Sequence, residues 1–458
     1  MLTPSPEIIQ LLATFAAAFT QPTFQKALLL IYGTVLTPGK RTIAAALRTL
    51  GVEDNNFGKY HRVLNQASFS PWLLSRLLLG LLVTHFVAPG GALVLVVYET
   101  LERRQGQKIV YKGCFRDAVR STAHKLVTSM GLRWLCVCLL VSVPWSQRCW
   151  ALPFLAVPLL SEKTARKLNK PHRSSVWWTG FLEKKIRAWY PERQIIVVGD
   201  GGFAAVELVA CSQRLGVKLV SRLRLDAQLH DFPGPQPASK RGPKPQKGAR
   251  QKSLQACLAD PTTVWRQARI AWYGGEEKSL DYTTGVCLWY TQGQVPVPVR
   301  WVLVRYQETN ARTGQVKIKG AAFFCSDTQD ASVTPETILV WFVGRWNIEV
   351  TFEQVRAHLG FETQRQWSQR AIERTTPCLL GLFSLVVLMA KVLHPTTLPV
   401  QQSSWYRKED ATFSDVLGAV RSHLWSAMNY THSAAEGELC LIPRAIWRRL
   451  EQVACYAA

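Results

Sequence analysis

The chain has 458 residues, 48% of them hydrophobic and 19% charged, so it can bury several cores and is not disordered as a whole. The chain has 55 Lys and Arg against 31 Asp and Glu, which gives a formal net charge of +24. A surplus of this size indicates a polyanionic partner. Eleven cysteines without a Cys-x2-Cys pair exclude a zinc ribbon and argue against a disulfide framework, so we expect a reducing compartment.

Apolar residues at helical spacing predict a helical region over residues 1–88. Within it, Arg41–Leu50, Gly51 and Asn55–Asn65 have the outline of a helix-turn-helix, which could place Lys59 and Arg62 in a DNA major groove. An ordinary helical bundle is the equal alternative. We interpret the two most membrane-like stretches as buried core, because the first is broken by polar residues and turns and the second is short. These stretches are Leu77–Val97 and Cys378–Val392.

From residue 92 the pattern changes to short apolar strands that alternate with helices, which predicts an α/β sheet. The predicted strands are Ala92–Val97, Lys108–Lys112, Trp134–Val143, Gln194–Val198 and Val217–Leu223, and the predicted helices are His172–Tyr190 and Phe203–Leu215.

Residues 233–252 contain five prolines, three glycines, six Lys or Arg and no acidic residue, which is typical of a mobile basic loop. A solvated linker is one interpretation and a loop that touches a phosphate backbone is the other. Its candidate DNA-binding residues are Lys240, Arg241, Lys244, Lys247 and Arg250. A β-rich block follows, with predicted strands at Ala268–Tyr273, Gly285–Tyr290, Pro298–Gln307 and Gln315–Ser326. Helices are then predicted from Pro335–Leu359 to the end of the chain.

Two carboxylates have a setting suited to chemistry. Asp200 follows an apolar strand at a glycine turn, where α/β sheets place their ligands, although such an Asp is often only a helix cap. Glu349 lies in a predicted helix, Trp341–Leu359, and shares a stripe with Arg345 and Arg356. This stripe suits a metal ion beside phosphate, and a surface salt-bridge ladder is the alternative.

The residues of this stripe are also similar to a motif of a known protein family. Phe342, Arg345, Glu349 and Arg356 keep the spacing of the motif Tyr-x2-Arg-x3-Glu-x6-Lys, with two conservative departures. The chain therefore resembles a DDE transposase of a bacterial insertion sequence, of the insertion sequence 701-like group. Further similar segments are Glu99–Arg104, Phe115–Arg120, Ser221–Ala227, Arg345–Glu353 and Gly360–Trp367.

The resemblance implies an RNase H-like mixed α/β sheet with a β-rich insertion and helical termini. It implies five parts: a helical DNA-binding region (1–88), two catalytic segments (89–225 and 326–395), the insertion (226–325) and a helical C-terminal region (396–458). It also implies that Asp200 and Glu349 are metal ligands that help to hold two Mg2+ ions, or Mn2+, for DNA cleavage and strand transfer.

By the resemblance, Phe342, Arg345 and Arg356 would handle the cleaved DNA end. Arg103 and Arg104 follow the first predicted strand and could track a DNA backbone, and a solvated run of charges is the alternative. The implied partners are double-stranded DNA, as terminal inverted repeats and target, and a second copy of the chain on that DNA. No membrane partner is expected, and the implied location is the bacterial cytoplasm at the nucleoid.

One departure from the family matters most. Tyr98 stands where the family has its first catalytic Asp, directly before Glu99 and Thr100. A phenol is neutral at pH 7 and is a poor Mg2+ ligand. Glu99 is adjacent, but neighbours on a strand face opposite sides, so it would need a one-residue register slip. We therefore expect impaired cleavage. The alternatives are a catalytically silent, transposase-derived DNA-binding protein and, less favoured, an RNase H-like repair nuclease.

Overall fold

The structure is a computed structural model that describes residues 4–52, 56–122, 124–235, 244–272, 277–309, 316–402, 404–405, 407–427 and 443–456. Its helices in chain order are α1 (Pro6–Ala13), α2 (Gln21–Leu36), α3 (Ile43–Thr49), α4 (Gly58–Asn65), α5 (Pro71–Phe86), α6 (Glu162–Lys167), α7 (Ser175–Trp189), α8 (Val206–Arg214), α9 (Leu254–Ala259), α10 (Pro335–Gly344), α11 (Asn347–Leu359), α12 (Gln369–Leu393), α13 (Phe413–Ser426) and α14 (Arg444–Tyr456).

The strands are β1 (Leu93–Arg103), β2 (Gly113–Arg116), β3 (Thr128–Ser142), β4 (Cys149–Leu159), β5 (Ile195–Val198), β6 (Val217–Leu223), β7 (Gln228–His230), β8 (Arg266–Ala271), β9 (Glu277–Tyr290), β10 (Val297–Thr309) and β11 (Val316–Cys325). The chain divides into two compact units, of which the first contains residues 1–88, 99–172 and 348–458 and the second contains 89–98 and 173–347.

The first unit combines three antiparallel strands with the N-terminal and C-terminal helices. Here β3 lies beside β1 and pairs antiparallel with both β2 and β4. Helix α12 forms much of the core: Phe383 stacks on Phe413 with 4.2 Å between ring centroids, and Ser384 Oγ donates to Pro153 O at 2.6 Å. Among the described helices, α12 alone is long and apolar enough to cross a membrane, and 67% of its apolar window is buried within the protein. It has the character of a core helix, as predicted for Cys378–Val392.

The second unit is built on parallel strands that continue into an antiparallel block. The N-terminal part of β1 pairs parallel with β5, and β5 pairs parallel with β6. Strand β11 then pairs antiparallel with β6, followed by β10 and β9, so the β-rich block extends the sheet rather than forming a separate barrel. One buried face joins Ile196, Val198 and Val220 to Phe342 of α10. The expected mixed α/β fold is confirmed.

Two predicted elements are wrong. Residues 108–112 form turns, and the strand begins only at Gly113, where β3 offers a partner. Trp341–Leu359 is not one helix, because Arg345 and Trp346 form a turn between α10 and α11. In the described part of the basic loop, Gly248 N donates to Asp231 O at 2.8 Å.

Candidate functional site

Asp200 lies at the carboxyl end of β5, two residues after Val198. Its backbone is extended, and its Oδ1 accepts a hydrogen bond of 2.8 Å from Gly202 N at the start of a short 3-10 turn. The Ser221 hydroxyl donates to the Asp200 carbonyl at 2.6 Å. The carboxylate is thus held at the strand end as predicted, and it also caps the turn, as the alternative interpretation expects.

Tyr98 occupies the matching place on β1. The parallel register ends with the pair Val96 and Val198, and Tyr98 and Asp200 each follow that pair by two residues. Because side chains alternate along a strand, both continue the face on which Val96 and Val198 lie. Residue 98 is therefore at the same end of the parallel strands as Asp200.

Arg345 lies over Tyr98. It is the residue after the last turn of α10 and is only 7% exposed. Its guanidinium carbon is 5.3 Å from the Tyr98 ring centroid and 5.3 Å from that of Phe342. Such contacts are attractive because the ring faces carry partial negative charge. A cation therefore faces the place where the resemblance implies a carboxylate.

Phe342 belongs to the core. It is 5% exposed, and its ring packs 4.5 Å from that of Phe323. The sequence predicted a role in handling DNA ends, whereas the structure gives this side chain a packing role beneath Arg345. The position in the motif could not show this, because burial depends on how α10 lies on the strands.

The residues at this edge do not fit a site for two Mg2+ ions. Mg2+ is held by charged or carbonyl oxygens in near-octahedral geometry. Tyr98 offers a neutral phenol, and one oxygen of Asp200 already accepts a backbone hydrogen bond. In the parts of the chain that the structure describes, no group of three or more His, Cys, Asp or Glu side chains could hold a metal ion.

The remaining members of the predicted site belong to the first unit. Glu99 forms an ion pair with Arg133 of β3. Glu349 lies half-buried in the first turn of α11, and Arg356 follows it seven residues later on the same helical face. Arg345 precedes this helix in the turn, so the predicted three-residue stripe on one helix is wrong.

Arg356 is held by several acceptors in this unit. Its Nε donates to Glu362 Oε1 at 3.0 Å, and its Nη2 donates to Thr100 Oγ1 at 2.9 Å. Glu362 also accepts from Arg103 Nη1 at 3.1 Å. The sequence offered no signal for Glu362 as the common partner of two arginines, because it lies more than 250 residues from Arg103.

Arg103 and Arg104 are also held by carboxylates. Arg103 donates two hydrogen bonds to Asp117, of 2.7 and 2.9 Å, and this arrangement lowers the pKa of the Asp117 carboxyl to about 2. Arg104 is 7% exposed and donates to the fully buried Glu102 at 2.7 Å. The prediction that these arginines follow a DNA backbone does not suit their surroundings, since their charge is already compensated inside the fold.

The other predicted DNA-binding residues lie on separate elements. On α4, Arg62 is exposed and the Lys59 ammonium lies 5.3 Å from the Tyr60 ring centroid. In the basic loop, Lys244 and Arg250 are exposed, and the Lys247 ammonium lies 3.2 Å from the Tyr290 ring centroid. The two further loop residues, Lys240 and Arg241, lie outside the described residues.

Comparisons with known proteins give a matching family model and similar solved structures. A family model described as "DDE superfamily endonuclease" matches residues 14–279, more than half of the chain. No curated protein matches significantly. Among solved structures, the chain is similar to the piggyBac transposase in a cryo-EM synaptic complex with hairpin DNA, at 11% identity and a TM-score of 0.41, over 95% of this chain and 85% of that one.

Proposed function

The chain belongs to the DDE superfamily of endonucleases, and from this premise we propose that it is a DNA-binding transposase whose own strand cleavage is impaired. The proposed substrate is double-stranded DNA, as terminal inverted repeats of a bacterial insertion sequence and as target. We further propose that two copies act on that DNA in the bacterial cytoplasm. The net charge of +24 supports a polyanionic partner, because Lys and Arg gain affinity by releasing counterions from phosphates.

One observation supports impaired cleavage more than any other. Tyr98 follows the last paired residue of β1 by two residues, as Asp200 does on β5, and the Arg345 guanidinium carbon lies 5.3 Å from its ring centroid. An aspartate at residue 98 would offer negatively charged oxygens to a divalent ion, and tyrosine does not. The proposal is therefore a family member that retains DNA binding and has lost most of its cleavage activity.

The test is Mg2+-dependent nicking of a labelled duplex that carries the inverted repeat found beside the reading frame. We expect weak or undetectable nicking by the unchanged chain and a gain of at least about 100-fold in Tyr98→Asp, since even loss of outer support around a metal typically costs 10–100-fold. Tyr98→Asn is the matched control, because it has the size of Asp without the charge. It should bind the same duplex in a gel-shift assay and leave it intact.

Other outcomes would separate the alternatives. Strong nicking by the unchanged chain would contradict the proposal and indicate another acid, with Glu99→Gln as the next variant. Binding of the repeat without any nicking in Tyr98→Asp would favour the catalytically silent DNA-binding protein. Cleavage of branched junctions without preference for the repeat would favour the repair nuclease.

A further inference from the structure

Two aromatic side chains on the outer face of α7 lie between two cationic side chains, one of which precedes the helix. The inner face of this helix is buried through Thr179, Leu182 and Ile186. The outer row, which we call the α7 ladder, consists of Arg173, Trp177, Phe181 and Lys185, spaced four residues apart. Trp177, Phe181 and Lys185 share one face of α7, because residues at i and i+4 meet there, and Arg173, just before the helix, joins them by its contact with Trp177.

The ladder is assembled by direct contacts. The Arg173 guanidinium carbon lies 4.5 Å from the Trp177 ring centroid. The rings of Trp177 and Phe181 are nearly parallel, with centroids 5.5 Å apart and 9° between their planes. The Lys185 ammonium lies 5.6 Å from the Phe181 ring centroid. The strip is therefore a preformed aromatic platform with a cation at each end.

This surface exposes groups that proteins usually cover. Trp177 is 42% exposed, and Arg173 and Lys185 are exposed. The acidic residue of α7, Glu183, faces inward and is buried, so no carboxylate of this helix neutralises the outer strip. An exposed aromatic group between two cations, neither of them in an ion pair with a described residue, matches a ligand that is both flat and negatively charged.

Single-stranded DNA has both properties, since its bases offer flat π-faces and its backbone carries one charge per nucleotide. We propose that the α7 ladder is a binding site for single-stranded DNA. Unpaired bases stack on Trp177, while Arg173 and Lys185 contact the flanking phosphates. Arg173 now covers one ring face, and an exposed cation–π contact is weaker than base stacking, so a base can take that face while the guanidinium moves to a phosphate.

The charge and shape of the strip decide against two other partners. A membrane surface would require a broad apolar face, and the ladder offers two rings between cations. Duplex DNA hides its base faces inside the stack, so duplex binding would use the cations and leave the exposed Trp177 without a role. The proposal does not depend on inverted-repeat recognition or on cleavage.

The test is fluorescence anisotropy of a labelled 20-nucleotide oligo-dT with the full-length chain and no divalent metal. Trp177→Ala should weaken binding about tenfold, a typical loss for one stacking aromatic. Trp177→Phe should retain most of the affinity. Trp405→Ala removes another exposed tryptophan, 88% exposed and outside the ladder, and should leave the affinity unchanged.

A second measurement keeps the proposal testable if Trp177→Ala folds poorly. Arg173→Gln and Lys185→Gln should each reduce the slope of log affinity against log salt by about 0.7, the value for one lost phosphate contact on a single strand. Arg76→Gln removes an exposed cation on α5 and should leave the slope unchanged. A duplex without inverted repeats should bind Trp177→Ala and the unchanged chain equally.

Unchanged oligo-dT affinity in a folded Trp177→Ala variant would overturn the proposal. An equal loss for the duplex and the single strand would also overturn it, because stacking requires unpaired bases. Failure to bind inverted repeats would contradict the proposed function while leaving this site intact, and the two failures are therefore distinguishable.

Discussion

The Glu183 carboxyl provides a sharp test of the second unit, because it is buried and no cation among the described residues contacts it. Burial raises its pKa to about 8, and a hydrogen bond with Ser212 offsets part of this rise. Ser212 Oγ lies 2.8 Å from Glu183 Oε2 and 2.9 Å from Leu208 O. One hydroxyl proton cannot serve both acceptors. A protonated Glu183 resolves this, since its own O–H can donate to Ser212 while Ser212 donates to Leu208.

The pH dependence of stability follows from that pKa. Between its ordinary value of 4.5 and about 8, folded Glu183 keeps a proton that the unfolded chain has released. Stability therefore falls as pH rises through this window and levels off above it. At about 1.4 kcal/mol per pKa unit, the loss is on the order of 4–5 kcal/mol. Glu183→Gln stays neutral at every pH and removes this slope.

The assay is urea denaturation of the unchanged chain and Glu183→Gln at several pH values from 5 to 9. We expect the variant to gain stability relative to the unchanged chain by several kcal/mol across this range. Glu192→Gln, an exposed acid after α7, should show no such trend. Parallel stability curves for Glu183→Gln and the unchanged chain would refute the reasoning, because they would mean that the carboxyl is ionised throughout.

Two further predictions concern the first unit. In a urea titration, Glu102→Ala should lower the free energy of unfolding by about 3–5 kcal/mol, because it leaves the buried Arg104 charge without its carboxylate. The control is Glu353→Ala, which changes an exposed residue and should alter the free energy of unfolding by under about 0.5 kcal/mol. Gly131→Ala should also destabilise, by at least about 1–3 kcal/mol, since its Cβ would come within 2.3 Å of the Glu102 carbonyl oxygen. The control is Gly234→Ala, whose added Cβ meets no atom within 4 Å, so this variant should have the melting temperature of the unchanged chain. An equal melting temperature for both glycine variants would show that β1 and β3 separate easily at Gly131.

Much of the fold could be predicted because apolar runs report burial directly. The prediction for Val217–Leu223 coincides with β6, and that for Gln194–Val198 differs from β5 by one residue. Lys108–Lys112 shows where local alternation fails. Buried positions alternate with more exposed ones from Tyr111 to Asp117, but a strand also requires a partner, and within this segment only Gly113–Arg116 pairs with β3. Whether a neighbouring strand is present depends on the tertiary fold, which a short stretch of sequence does not show.

Part of the candidate site was also predictable, because an apolar run marks the buried strand before it. A strand followed by a glycine turn predicts that Asp200 lies at a sheet edge, and it does. The Arg345 contact with Tyr98 could not be predicted, because it depends on the turn at residues 345–346. The apolar residues keep helical spacing on both sides of that turn, so the sequence pattern does not reveal it. Asn347 Nδ2 accounts for part of its stability, since it donates to the Gly344 carbonyl at 2.9 Å.

The partners of the cations explain why net charge alone is a poor guide to the DNA-binding surface. Arg103 and Arg356 already neutralise carboxylates, so moving either to a phosphate would break an ion pair and gain little free energy. Arg173 and Lys185 lie beside aromatic rings, which attract a cation but do not cancel its charge. Only such cations add fully to counterion release when phosphate binds. The salt dependence of DNA binding should therefore follow the cations that lie beside rings or in solvent, and the formal charge of +24 overstates it.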